Sequence, residues 1–170
     1  MKTKLISGLM MALVALQCTE PGPSPIVDHD ITLQVVDIAG KNLLQPDMPG
    51  SLNTSDIRVF YQEQGVRKEI YNPLMDMSRN YRIYRNRDKG PYLMMLMPYT
   101  GKSMNEETTT IIHWNDNVKE DTLKCQIYKH GSGTYARTVK INGIQKYTYP
   151  VDRPVIFDSV TYRRFVTVIK

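Results

Sequence analysis

Cysteine is nearly absent. Cys18 and Cys125 are the only two in a chain of 170 residues, so no multi-bridge disulfide framework staples the fold, and its stability must come from burial. Tryptophan occurs once and phenylalanine three times, which leaves eleven tyrosines as the main aromatic surface. No apolar run is long enough to cross a bilayer as a helix, since the stretch from Leu5 to Leu16 has twelve residues and is interrupted by Ser7 and Gly8. Also missing are the Gly-x-Ser-x-Gly elbow, the phosphate loop, the dinucleotide Gly-x-Gly-x-x-Gly and His-Glu-x-x-His. What is present is ordinary for a globular domain, with 41% hydrophobic and 23% charged residues, and this excludes collagenous, coiled-coil and wholly disordered classes.

The N-terminus reads as a bacterial export signal, with Lys2 and Lys4 ahead of the apolar stretch. Ala15-Leu16-Gln17-Cys18 resembles the lipobox of bacterial lipoproteins, which implies acylation of Cys18 as the new first residue. Cleavage after Ala15 is the alternative, and it would leave Cys18 able to pair with Cys125 in an oxidising compartment. Loss of residues 1–17 removes two lysines, leaving 20 basic against 17 acidic residues, so the formal excess of +5 falls to +3. Global charge therefore gives no argument for nucleic acid. Pro21, Pro23 and Pro25 favour an extended tether of about 3 Å per residue. The expected organisation is a lipoprotein signal peptide over 1–17, a lipidated cysteine and linker over 18–30, and one domain over 31–170. By similarity to lipoprotein sorting, Thr19 in place of Asp after the cysteine implies the outer membrane, facing either the periplasm or the cell surface.

Beyond Ile31 the apolar spacing is close to two. Ile31, Leu33 and Val35 alternate with Thr32 and Gln34, and Ile57, Val59 and Tyr61 with Arg58 and Phe60. Similar runs occur at 81–85, 92–97, 108–114, 122–128, 135–141, 144–149 and 165–169, separated by turn signals such as Gln64-Gly65 and Asn142-Gly143. Asn142-Gly143 is the strongest hairpin signal, because both residues tolerate the positive φ of a type I′ turn. Tyr92 to Met97 is apolar on both faces, which places it inside a sheet. Asn72-Pro73, with Leu74 and Met77, predicts one helical turn or two. Many short strands at this spacing predict an all-β fold, an antiparallel β-sandwich.

The segments Val36–Leu44, Asp56–Val59 and Gly90–Pro98 resemble the strand pattern of prealbumin-like, carboxypeptidase-regulatory-like and immunoglobulin-like sandwiches. Together with Asp121-Thr122-Leu123 and the closing Val168-Ile169-Lys170, they also resemble small Bacteroidota envelope lipoproteins of unknown function. That resemblance implies a fold and an address and attaches no activity.

Arginines and tyrosines interleave most densely at Arg79, Tyr81, Arg82, Tyr84, Arg85, Arg87 and Lys89. Guanidinium groups fork to phosphate or carboxylate, and phenol rings stack on sugars, so this stretch is the expected anionic-ligand site, against the simpler reading of a charged, protected sheet edge. Asp121-Thr122-Leu123 and Asp158-Ser159-Val160 resemble the O-glycosylation acceptor pattern of Bacteroidota envelope proteins, which implies modification at Thr122 and Ser159. Other arrangements have structural readings. Cys125 alternates with Leu123 and Ile127 as a small buried hydrophobe. Trp114 sits at strand spacing from Ile112. His130-Gly131-Ser132-Gly133 is a turn. Glu106 and Glu107, neighbours in a strand, must face opposite ways. Asp28-His29-Asp30 reads as solvated linker, while Asn115-Asp116-Asn117 with Glu120 and Asp121 lacks calcium-loop spacing.

No metal, cofactor or catalytic residue is assigned. The expected function is a non-catalytic binding or assembly module for a glycan, protein or envelope component. A hydrolase with loop-borne catalytic residues is the alternative.

Overall fold

The computed structural model describes residues 27–86, 89–103, 105–130, 133–148 and 164–170, so the expected signal segment, Cys18, Arg87 and Ser159 lie outside the described residues. Two sheets face each other. The larger holds β1 (Val27–Asp28), β3 (Arg58–Glu63), β4 (Val66–Glu69), β7 (Glu106–His113), β8 (Asp121–His130), β9 (Gly133–Ile141) and β10 (Ile144–Thr148). The smaller holds β2 (Ile31–Val36), β5 (Tyr81–Arg85), β6 (Tyr92–Leu96) and β11 (Arg164–Ile169). The larger runs in the order β1-β9-β8-β7-β3-β4, with β10 sharing the β1 side of β9, and the smaller runs β11-β2-β6-β5. The chain is an all-β sandwich.

Alternation dictates the core. Val59, Ile112, Leu123, Cys125 and Val139 point inward from the larger sheet to meet Ile31, Leu33, Met94, Leu96 and Val166 from the smaller, all essentially inaccessible to water. Trp114, just past β7, is fully buried among them, which removes it as a stacking platform for a sugar. The β9–β10 hairpin turns on Asn142 (φ 50°) and Gly143 (φ 81°), the two left-handed positions of a type I′ turn. Gln64 (φ 49°) and Gly65 (φ 81°) do the same between β3 and β4.

Two pairings depart from a purely antiparallel pattern: β1 runs parallel to β9, and β11 parallel to β2. Both join segments far apart in sequence, where no tight hairpin imposes antiparallel direction. The segment expected to be linker thus contributes β1 to the larger sheet, through Val27↔Thr134 and Asp28↔Tyr135.

The helix expected after Asn72 is absent, and no helix occurs among the described residues. Asn72 Oδ1 accepts from the Leu74 amide at 3.1 Å, and the Asn72 amide closes on the Ser78 carbonyl at 2.7 Å, so the cap residue starts a folded-back turn instead. Leu74 is 94% exposed, so the segment has no apolar face to bury as a helix.

Side-chain bonds fix which edges lie over one another. Tyr61 in β3 donates its hydroxyl to the Met97 carbonyl just after β6 at 3.0 Å, and Tyr81 in β5 donates to Thr54 just before β3 at 2.8 Å. On the other flank β10 runs beside β11. β5 and β1 therefore occupy opposite flanks of the sandwich.

Candidate functional site

β5 is an edge strand, paired with β6 alone among the described strands. Its register splits the expected anionic-ligand residues by face. Tyr81 and Ile83 point inward against the core, and Tyr84, opposite Leu93, shares the outer face with Arg82. Arg79 and Tyr81 are engaged by the protein itself. The Arg79 guanidinium donates to the carbonyls of Ile57 at 2.6 Å and Ser55 at 3.1 Å, and the Tyr81 hydroxyl to Thr54 and Ile57. Burial holds the Tyr81 phenol above its ordinary pKa, against the opposing Arg79 charge. These two residues clasp the 54–57 segment. Arg82, Arg85 and Lys89 are exposed. The Arg82 guanidinium lies 5.8 Å from the Tyr84 ring centre and that of Arg85 5.8 Å from Tyr92, so each cation is backed by a tyrosine. The sequence run thus becomes two structural residues and exposed cations on the two faces of the strand: Arg82 on the outer face with Tyr84, and Arg85, opposite Tyr92, on the side of Tyr81 and Ile83.

The remaining candidates separate in the same way. Glu106 and Glu107 face opposite sides: Glu106 accepts the amides of Lys102 and Ser103 at 3.0 and 3.1 Å, while Glu107 bridges Lys124 and Lys140. Those two lysines hold the Glu107 carboxyl below its ordinary pKa, Lys140 most strongly. Asn115-Asp116-Asn117 makes a turn with Asp116 projecting into solvent, while Glu120 pairs with Arg67 and Asp121 is buried under Trp114. The oxygen donors around this turn therefore scatter, and no cluster of three or more His, Cys, Asp or Glu suited to a metal occurs among the described residues. Thr122 lies on the outer face of β8, its backbone held by Asn142 through bonds of 2.9 Å in both directions. His130 pairs with Gly133 across the β8–β9 connection, as a turn reading requires.

Sequence reasoning missed a polar depression of about 370 Å³ between the β3–β4 turn and the residues from Tyr99 to Ser103 with Glu106. It is lined by Glu63, Tyr99, Lys102 and Glu106, with Gln64, Gly65 and Ser103 beside them. The Tyr99 backbone is fixed at both ends, its amide donating to Thr110 Oγ1 at 2.8 Å and its carbonyl accepting from Thr108 Oγ1. Its ring stacks on Tyr61 at 5.0 Å. Gly101 adopts φ 63°, and a Cβ there would meet the Glu106 carboxylate, so this position requires glycine. Lys129 Nζ closes the loop onto the Gly101 carbonyl at 3.1 Å. Lys102 and Glu63 form an ion pair across the mouth. Hydrogen bonding to Lys102 lowers the Glu63 pKa and raises that of Lys102, while desolvation and then the Glu63 charge raise that of Tyr99. The only sequence signal for this depression was Gly101-Lys102-Ser103, a short stretch that implies a loop and nothing more.

No family model matches this chain, and neither any curated protein nor any solved structure does.

Proposed function

We propose that this protein is an envelope lipoprotein, held to the membrane through Cys18, that presents its β-sandwich as a non-catalytic binding module for an anionic glycan or other anionic envelope component. The outer membrane is its place in this reading, and Thr122 is an O-glycan acceptor. One observation carries the binding assignment: exposed Arg82 and Arg85, each backed by a tyrosine ring, lie on edge strand β5, on the opposite flank from β1, where the tether enters. A domain held from the β1 flank turns its basic edge away from the anchor. Cations along an edge strand also deter sheet-to-sheet aggregation, so the charge protects the edge while it recruits a ligand.

The test is retention on sulfated-polysaccharide beads and, separately, on vesicles containing anionic lipid. Arg82→Gln/Arg85→Gln is expected to elute at clearly lower salt than the parent on one of these two surfaces, and the surface affected identifies the source of the anion. Equal elution of parent and variant on both would remove β5 as the site.

A further inference from the structure

We propose that the depression bounded by Glu63, Tyr99, Lys102 and Glu106 binds a neutral saccharide of one or two rings. This inference goes beyond the anionic surface on β5 and does not depend on it. Three features select the ligand. The volume, about 370 Å³, is at the small end of ligand pockets, which run upward from about 300 Å³. The charge does not favour an anion, because Glu63 and Glu106 bring two carboxylates to the wall against one ammonium, that of Lys102, while Glu107 turns to the other side, where Lys124 and Lys140 compensate it. The polar groups are those that hydroxyls satisfy in both directions: the Glu63 carboxylate accepts, the Lys102 ammonium donates, and the Tyr99 hydroxyl, bonded to Glu63, does both.

The loop is also preorganised. Glu106 holds the amides of Lys102 and Ser103, Lys129 holds Gly101, and Thr108 and Thr110 hold Tyr99. A ligand entering here orders little that is not already ordered, and this lowers the entropic cost of binding. The Lys102–Glu63 pair lies at an exposed mouth, so sugar hydroxyls can replace its mutual bond without uncovering a buried charge.

Saturation-transfer NMR on the full-length protein in detergent tests this, with glucose, galactose, mannose, N-acetylglucosamine and their β-linked disaccharides set against glucuronate and a sulfated monosaccharide. At least one neutral saccharide is expected to bind. Lys102→Ala and Glu63→Gln are expected to weaken it about tenfold, as loss of a charged hydrogen bond does, with Arg82→Gln/Arg85→Gln unchanged. Both substituted side chains are exposed, so the fold survives the change. Saturation of the charged sugars alone, of no sugar, or equally of parent and Lys102→Ala would overturn the proposal. Loss of the β5 effect alone would leave it standing.

Discussion

Lys170 and Asp121 meet at 2.5 Å between the two sheets, their side chains only 9% and 3% exposed. Asp121 also accepts the Trp114 indole N–H and an Asn142 amide hydrogen, each at 2.7 Å, while Lys170 donates to the Lys119 carbonyl at 2.8 Å. One carboxylate therefore ties together the tryptophan of the core, the β9–β10 turn and the end of β11. With every group satisfied, the ion pair joins the two layers on the flank away from β5.

Removing the carboxylate strands the buried ammonium and the indole N–H. Asp121→Ala is expected to cost about 3–5 kcal/mol, the range for breaking a buried pair from one side. Lys170→Met should cost less, because Asp121 keeps two donors. Urea unfolding midpoints check the order, and equal midpoints for both variants would contradict it.

The arginines of the basic stretch separate by role. Arg79→Gln should destabilise the fold by about 1.5–3 kcal/mol through loss of its bonds to the Ile57 and Ser55 carbonyls. Arg82→Gln, on the exposed face of β5, should stay within about 0.5 kcal/mol of the parent. Thermal melts of the two single variants distinguish them.

Gly143 has φ 81°, and a Cβ there would meet nothing within 4 Å, so any cost of a side chain is purely conformational. Gly143→Ala is expected to lose about 1–2 kcal/mol, the penalty for an ordinary residue in the left-handed region. A neutral result in calorimetry would show that the turn relaxes to another type.

Acid should weaken the larger sheet. Glu107 is held below its ordinary value of 4.5 chiefly by Lys140, and Glu120 chiefly by Arg67. A depressed folded pKa means that the stability is present above 4.5 and is lost as the pH falls through the folded value. The side chains are 43% and 37% exposed, so screening limits each contribution to under about 1 kcal/mol. Glu107→Gln/Glu120→Gln should flatten the stability curve below pH 4.5 and leave its slope above that unchanged.

The sandwich was legible because its code is local. Period-two runs gave β5 and most of β6 to β9, and Asn142-Gly143 gave the β9–β10 hairpin. Sheet partners far apart in sequence leave no local mark, so the parallel pairing of β2 with β11 could not be read. The β5 register also decided more than composition could. Spacing put arginines and tyrosines in one stretch, but pairing with β6 turned Tyr81 inward while Arg82 stayed exposed. The depression at Tyr99 was invisible for a similar reason. Glu63 and Lys102 come from different strand connections, and only the fold brings them together.

Anchoring through Cys18, proposed above, is read out by the intact mass of the protein purified from the cells that produce it. The expected chain begins at Cys18 and carries added acyl mass, with any glycan mass above that. An unmodified chain beginning at Leu16 would contradict it, leaving the sandwich without its anchor.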